Sequence, residues 1–147
     1  MNPALRLRLL AVLTGAALVG VAVVHLKIAD TYSGLGKHPL ALNDQFYAQA
    51  AVAFVLTLAL LVRPHALVWL ATVGFAVGSL GVLYYSRSNC LPIYGFDGCF
   101  QESWDVEGAN PARIFEFLTL GLAGLGAALT APAFLKGLKG RRSATAA

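Results

Sequence analysis

Four apolar stretches dominate this chain, and each is long enough to cross a bilayer as a helix. They occupy residues 9–26, 43–62, 66–86 and 111–135. In lipid a helix satisfies its own backbone hydrogen bonds, which leaves a run of this length few alternatives. Charged residues make up only 12% of the 147 residues, about half the share in a soluble domain. We therefore predict an all-α fold, an integral membrane four-helix bundle that forms a single domain.

Basic residues lie on one side of the predicted bundle, which sets its orientation. Both ends of the chain and the turn between the second and third stretches carry them: Arg6, Arg8, Arg63, Lys136, Lys139, Arg141 and Arg142. This bias predicts that both termini are cytoplasmic, with outer loops at 27–42 and 87–110 and a basic cytoplasmic tail at 136–147. The expected location is a bacterial plasma membrane. The basic residues form no single stripe, which argues against nucleic acid as a partner.

The two cysteines, Cys90 and Cys99, both fall in the second outer loop. An oxidising compartment favours a disulfide there. It would close a ten-residue loop and stabilise it by roughly 2–3 kcal/mol. A dithiol relay prefers a Cys-x-x-Cys pair, so a thiol oxidoreductase is the weaker interpretation.

Glu116 is the first candidate for a functional residue, because an ionisable group inside a spanning segment is costly without a partner. The predicted helix directions bring polar groups from all four stretches to the same level. This polar cluster, a possible ligand-binding site, comprises His25, Asn43, Gln45, Gln49, Tyr84, Tyr85, Arg113 and Glu116. Arg113 lies three residues before Glu116 and could neutralise it along the helix surface.

Two interpretations of the cluster stay open. In the first it is a polar plug, in which Glu116 pairs with His25 or Arg113, hydrogen-bonds Tyr84 and Gln49, and fixes helix register. In the second it is a shallow outer pocket for a lipid headgroup, a quinone or another small amphiphile, anchored by Glu116 and His25.

Other chemistry has little support in the sequence. The histidines are scattered, so we predict no haem, zinc or other metal site and no cofactor. We find no catalytic constellation. The acidic run of Glu102, Asp105 and Glu107 around Trp104 is typical of a solvated face.

Small residues indicate how the helices pack. Gly74, Gly78 and Gly81 share one side of the third stretch, and Gly121 and Gly124 lie in the fourth. In lipid, such glycines are found where helix backbones approach closely. Trp69, near the inner end of the third stretch, is expected in an interfacial aromatic belt.

A family resemblance rests on the order of several short motifs. His25 ends the first stretch, Asn43 opens the second, Tyr84-Tyr85-Ser86 closes the third, and Tyr94-Gly95-Phe96 precedes Glu116. This order resembles small four-helix membrane proteins of actinobacteria that are loosely similar to the DoxX-like group. Members carry the loop glycine-phenylalanine without flanking cysteines, so Cys90 and Cys99 are a departure. DoxX-like proteins are associated with membrane redox complexes, and the resemblance implies such a partner role.

Two functions are therefore expected. The first is a non-catalytic accessory or assembly subunit of a larger bacterial membrane complex, respiratory or envelope-building, whose partners are membrane lipids and other integral membrane subunits. The alternative is a protein that binds or transports a lipid, a quinone or another small amphiphile, using the outer polar pocket around Glu116.

Overall fold

The computed structural model describes the backbone of residues 2–103 and 109–144, and the side chains of residues 2–103 and 110–136. It contains four α-helices: α1 (Pro3–Ala29), α2 (Leu42–Val62), α3 (Ala66–Ser88) and α4 (Ala109–Ala144). A short 3-10 helix at Asp30–Tyr32 follows α1. All four α-helices are long and apolar enough to cross a membrane. The predicted all-α fold with four helices of spanning length is confirmed; α1 begins six residues before its predicted start at residue 9, and α4 continues beyond the predicted end at residue 135.

Local capping explains where several helices begin. Asn2 accepts a hydrogen bond from the backbone N–H of Ala4 at 3.0 Å, and Pro3 occupies the first helical position. His65 caps α3 by accepting from the N–H of Leu67 at 3.3 Å. α2 begins at Leu42, one residue before its predicted start, so Asn43 already lies inside the first turn.

The helices form a bundle in which α1 is central. α1 packs along both α2 and α4, and α3 packs along α4. α2 and α3 touch only sparingly, although a three-residue turn at 63–65 joins them. The core cluster contains residues from all four helices: Leu10, Ala11, Leu18, Ala22, Ala50, Ala53, Leu60, Trp69 and Ala123. The seam between α2 and α3 is therefore the most open one in the bundle.

Close helix packing occurs at glycines other than the predicted ones. Gly126 of α4 lies against the indole ring of Trp69, and Gly20 of α1 lies against the ring of Phe115. Trp69 is fully buried, so its expected place in an interfacial belt is wrong. Among the described glycines inside the helices, a Cβ would meet nothing within 4 Å at five: Gly74, Gly78, Gly81, Gly121 and Gly124.

We call the end of the bundle where α1 and α3 end and α2 and α4 begin the long-loop end. Its two connections pack together around Tyr32, Leu42 and Ile93. Gly36 has φ +94°, and a Cβ there would overlap Ile93 and the carbonyl oxygen of Tyr94, so this contact requires glycine. The Cys90–Cys99 disulfide is present, as predicted, beside a single antiparallel pairing of Leu91 with Phe100.

Candidate functional site

Glu116 lies inside the bundle near the long-loop end. It is seven residues into α4, which places it roughly 10 Å below the start of that helix. Helical spacing puts Ala112, Thr119 and Ala123 on the same face, and all of them are buried. Glu116 itself is only 2% exposed. α4 therefore turns its single carboxylate within the described span toward the other helices.

His25 of α1 is the nearest ionisable partner of Glu116. The residue is 4% exposed, and its Nε2 lies 3.9 Å from Oε1 of Glu116. Nδ1 lies 2.8 Å from the carbonyl oxygen of Val21. Because a carbonyl only accepts, Nδ1 carries the proton, and Nε2 of the neutral ring is an acceptor. The predicted pair is brought together, but at a distance too long for a direct hydrogen bond.

Gln49 of α2 and Ser79 of α3 join the two sparsely packed helices. The Ser79 hydroxyl donates to Oε1 of Gln49 at 3.0 Å. This bond crosses the open seam at about the level of Glu116. Sequence reasoning identified Gln49 but missed Ser79, because a serine among glycines and apolar residues gives no signal of a partner on another helix.

A cavity of about 190 Å³ at the long-loop end is lined by residues of all four helices and of the second long connection. It is slightly larger than an engineered cavity of about 150 Å³ that binds benzene. The apolar part of its wall includes Phe46, Val82, Leu83 and Phe100. Its polar wall consists of His25, Gln45, Gln49, Ser79, Ser86, Glu102 and Glu116. Among the described residues, Oε2 of Glu116 has no hydrogen-bond partner.

An ion pair between Arg87 and Glu102, which the sequence did not predict, stabilises the part of the second long connection that lines the cavity. Nη2 of Arg87 lies 3.1 Å from Oε2 of Glu102, and the Arg87 side chain is fully buried. The Tyr32 hydroxyl donates to Oε1 of Glu102 at 2.6 Å. Glu102 is 9% exposed, so the expected solvated acidic face is wrong for this residue. The other members of that run, Trp104, Asp105 and Glu107, lie outside the described residues.

The predicted polar cluster is therefore brought together only in part. His25, Gln45, Gln49 and Glu116 line the cavity, and the exposed Gln45 also donates to the carbonyl oxygen of Leu40 at 3.1 Å. The other four members do not line it.

Those four members point elsewhere. Arg113 donates from Nη2 to Oδ1 of Asn110 at 2.8 Å. Asn43 is half-buried, and its Oδ1 has no hydrogen-bond partner within the described ranges. Tyr84 and Tyr85 lie on the outer surface at 41% and 52% exposure.

A metal site finds no support in the geometry. Across residues 2–103 and 110–136, no three His, Cys, Asp or Glu side chains are grouped so that they could hold a metal ion. The polar wall of the cavity can instead form hydrogen bonds and offer a charge to a bound organic group.

No family model, curated protein or solved structure matches this chain. The resemblance to DoxX-like proteins and the partner role that it implies stay predictions. Function is therefore argued from the cavity and from the surface of the bundle.

Proposed function

We propose that this chain is a plasma-membrane protein, with both termini cytoplasmic, that binds the polar end of a membrane amphiphile in the cavity at the long-loop end. The observation that supports the proposal is the burial of the Glu116 carboxylate in the cavity wall. This carboxylate is 2% exposed, lines a cavity and has one oxygen without a hydrogen-bond partner among the described residues. A buried charge in this state is costly, and a bound polar group would remove the cost.

The polar-plug interpretation has less support from the same geometry. A plug requires Glu116 to be satisfied within the protein, yet the contact with His25 is 3.9 Å long. The long-loop end is also held together without Glu116, by the Arg87–Glu102 pair and the Cys90–Cys99 disulfide. Glu116 is thus available for a ligand, because other contacts perform the structural role.

The open seam supplies a route from the surrounding lipid. Gln45 of α2 and Val82 of α3 are exposed and also line the cavity, so the cavity reaches the surface between these two helices. A volume of about 190 Å³ holds one ring or a small headgroup rather than a whole lipid. We propose that the polar end enters between α2 and α3 while the alkyl tail remains in the bilayer.

A photoreactive dodecanol, incorporated into membranes that contain the protein, tests this location. We expect crosslinks to cavity residues such as Phe46 and Leu83 when labelled peptides are mapped by mass spectrometry. Leu83→Trp should abolish most of these crosslinks, because the indole fills the cavity. Leu70→Trp, on the exposed surface of the same helix, is the matched control and should leave the labelling unchanged. Labelling that is evenly spread over the outer helix surfaces in the wild type would contradict the proposal.

An accessory subunit of a larger membrane complex is the second candidate, favoured by the outward glycines. A Cβ added at these glycines would meet nothing within 4 Å in the described part of this chain: Gly74, Gly78 and Gly81 of α3, and Gly121 and Gly124 of α4. Small residues in lipid-facing positions allow another helix to approach closely.

For this second function, extraction from the native membrane in a mild detergent should give the chain in a large particle. Gly78→Ile should release it from the particle as a folded monomer, since the added side chain blocks a close approach. Size-exclusion chromatography with detection of the chain measures both results. Recovery of the wild-type chain only as a free monomer would count against an accessory role.

A further inference from the structure

We infer that the group bound in this cavity is a primary ammonium, carried by an alkyl chain or a lipid headgroup. The inference rests on the proposed amphiphile-binding function and adds the chemical class of the ligand.

The first argument is the hydrogen-bonding character of the cavity wall. With Nδ1 of His25 committed to the carbonyl oxygen of Val21, the ring presents Nε2 to the Glu116 carboxylate. In the neutral ring Nε2 is an acceptor, and both carboxylate oxygens of an ionised Glu116 are acceptors. Two acceptors 3.9 Å apart leave room for one donor that reaches both. An ammonium group has three N–H donors and can also reach the unpartnered Oε2 of Glu116.

The second argument is charge. The described residues that line the cavity include two carboxylates, Glu102 and Glu116, and no lysine or arginine. Arg87 lies 3.1 Å from Glu102 and compensates that carboxylate. The wall gives Glu116 no lysine or arginine, and its basic neighbour there is His25, whose Nε2 lies 3.9 Å from Oε1 of Glu116. A phosphate or carboxylate headgroup would meet like charge here, whereas an ammonium meets opposite charge.

The third argument is the aromatic part of the wall. Phe46 and Phe100 line the cavity, and the ring of Phe46 lies 5.6 Å from the ring of His25. Aromatic faces attract cations, particularly where water is excluded. A neutral hydroxyl gains little from these rings, so the wall distinguishes an ammonium from an alcohol of the same size.

Three probes of equal chain length test the inference at neutral pH: dodecylamine, dodecanol and dodecyl phosphate. Affinity is measured by native mass spectrometry of the full chain released from nanodiscs. We expect the amine to bind about tenfold more tightly than the alcohol, since hydrogen bonds to a charged group are the stronger ones. The phosphate should bind most weakly. Glu116→Gln should reduce amine affinity to about that of the alcohol. Asp97→Asn, which neutralises an exposed loop carboxylate outside the cavity wall, should retain the preference.

The outcomes separate this inference from the proposed function. Equal affinity for amine and alcohol in the wild type overturns the ammonium assignment, while continued dodecanol crosslinking inside the cavity leaves amphiphile binding in place. Preferential binding of the phosphate also overturns the assignment. Absence of dodecanol crosslinks from the cavity overturns the proposed function itself. The wild-type comparison decides the matter even if Glu116→Gln does not fold.

A further comparison identifies the source of the ammonium group. Nanodiscs made from ethanolamine-headed or choline-headed phospholipids are compared, with soluble butylamine as a competitor. Selective retention of the ethanolamine lipid indicates a lipid headgroup, and displacement of dodecylamine by butylamine shows that the ammonium group is recognised without a long alkyl chain. Each result supports recognition of a primary ammonium. Selective retention of the choline lipid, which has no N–H donor, contradicts it.

Discussion

Arg87→Met is expected to destabilise the folded bundle by about 3–5 kcal/mol, the usual range when one partner of a buried ion pair is removed. The Arg87 side chain is fully buried, and its Nη2 lies 3.1 Å from Oε2 of Glu102. Without the guanidinium, the Glu102 carboxylate stays almost buried, and among the described side chains it keeps the Tyr32 hydroxyl as a hydrogen-bond donor. Arg87 also lies in the last turn of α3, where a positive charge is favourable. Reversible unfolding in detergent, followed by circular dichroism, measures the change.

Two further variants make this expectation specific to the pair. Arg87→Met combined with Glu102→Met should recover most of the lost stability, because both charges are then absent from the buried site. Arg63→Met removes an exposed arginine from the turn between α2 and α3, so it should have little effect. An Arg87→Met protein as stable as the wild type would show that the ion pair does not stabilise the part of the second long connection that lines the cavity.

Gly126→Ala is expected to cost about 1–3 kcal/mol, the typical effect of overpacking a well-packed core. A Cβ at this position would overlap the indole ring of Trp69, which is fully buried and has little room to move. Two helices, α3 and α4, would have to separate to accept one methyl group. The same unfolding measurement gives the magnitude.

Gly121→Ala is the matched control on the same helix. A Cβ there meets nothing within 4 Å in the described structure. Alanine is also the better helix former, so the variant should be neutral or slightly stabilising. Equal destabilisation by the two substitutions would contradict the packing of Gly126 against Trp69. If the outward glycines contact another subunit, Gly121→Ala should weaken that assembly while leaving the isolated chain stable.

Much of the fold follows from local sequence. Four apolar runs predicted four helices because a spanning segment in lipid has to satisfy its own backbone hydrogen bonds. Two cysteines in one connection predicted the Cys90–Cys99 disulfide, which is present. The orientation across the membrane, derived from the Lys and Arg bias, stays a prediction. Each of these inferences depends on residue type and on distance along the chain.

The candidate site followed from the sequence only in part. Glu116 and His25 stood out because each is an ionisable residue within an apolar run, and they do lie together. Tyr84 and Tyr85 occupy the expected level but lie on the outer surface. Knowing the level of a residue does not reveal which way its helix is rotated. Ser79 and Glu102 were missed because their partners, Gln49 and Arg87, belong to other elements.

By itself, then, the sequence determined the number of helices, their approximate ends and the disulfide, since hydropathy and cysteine spacing act along the chain. Only the tertiary structure decided that α2 and α3 touch only sparingly, that Trp69 packs on Gly126, and that an Arg87–Glu102 pair lies beside the cavity that Glu116 lines. Those features depend on helix rotation and on contacts between distant residues. In lipid, such contacts are selected by side-chain packing and interhelical polar pairing, which a hydropathy pattern does not encode.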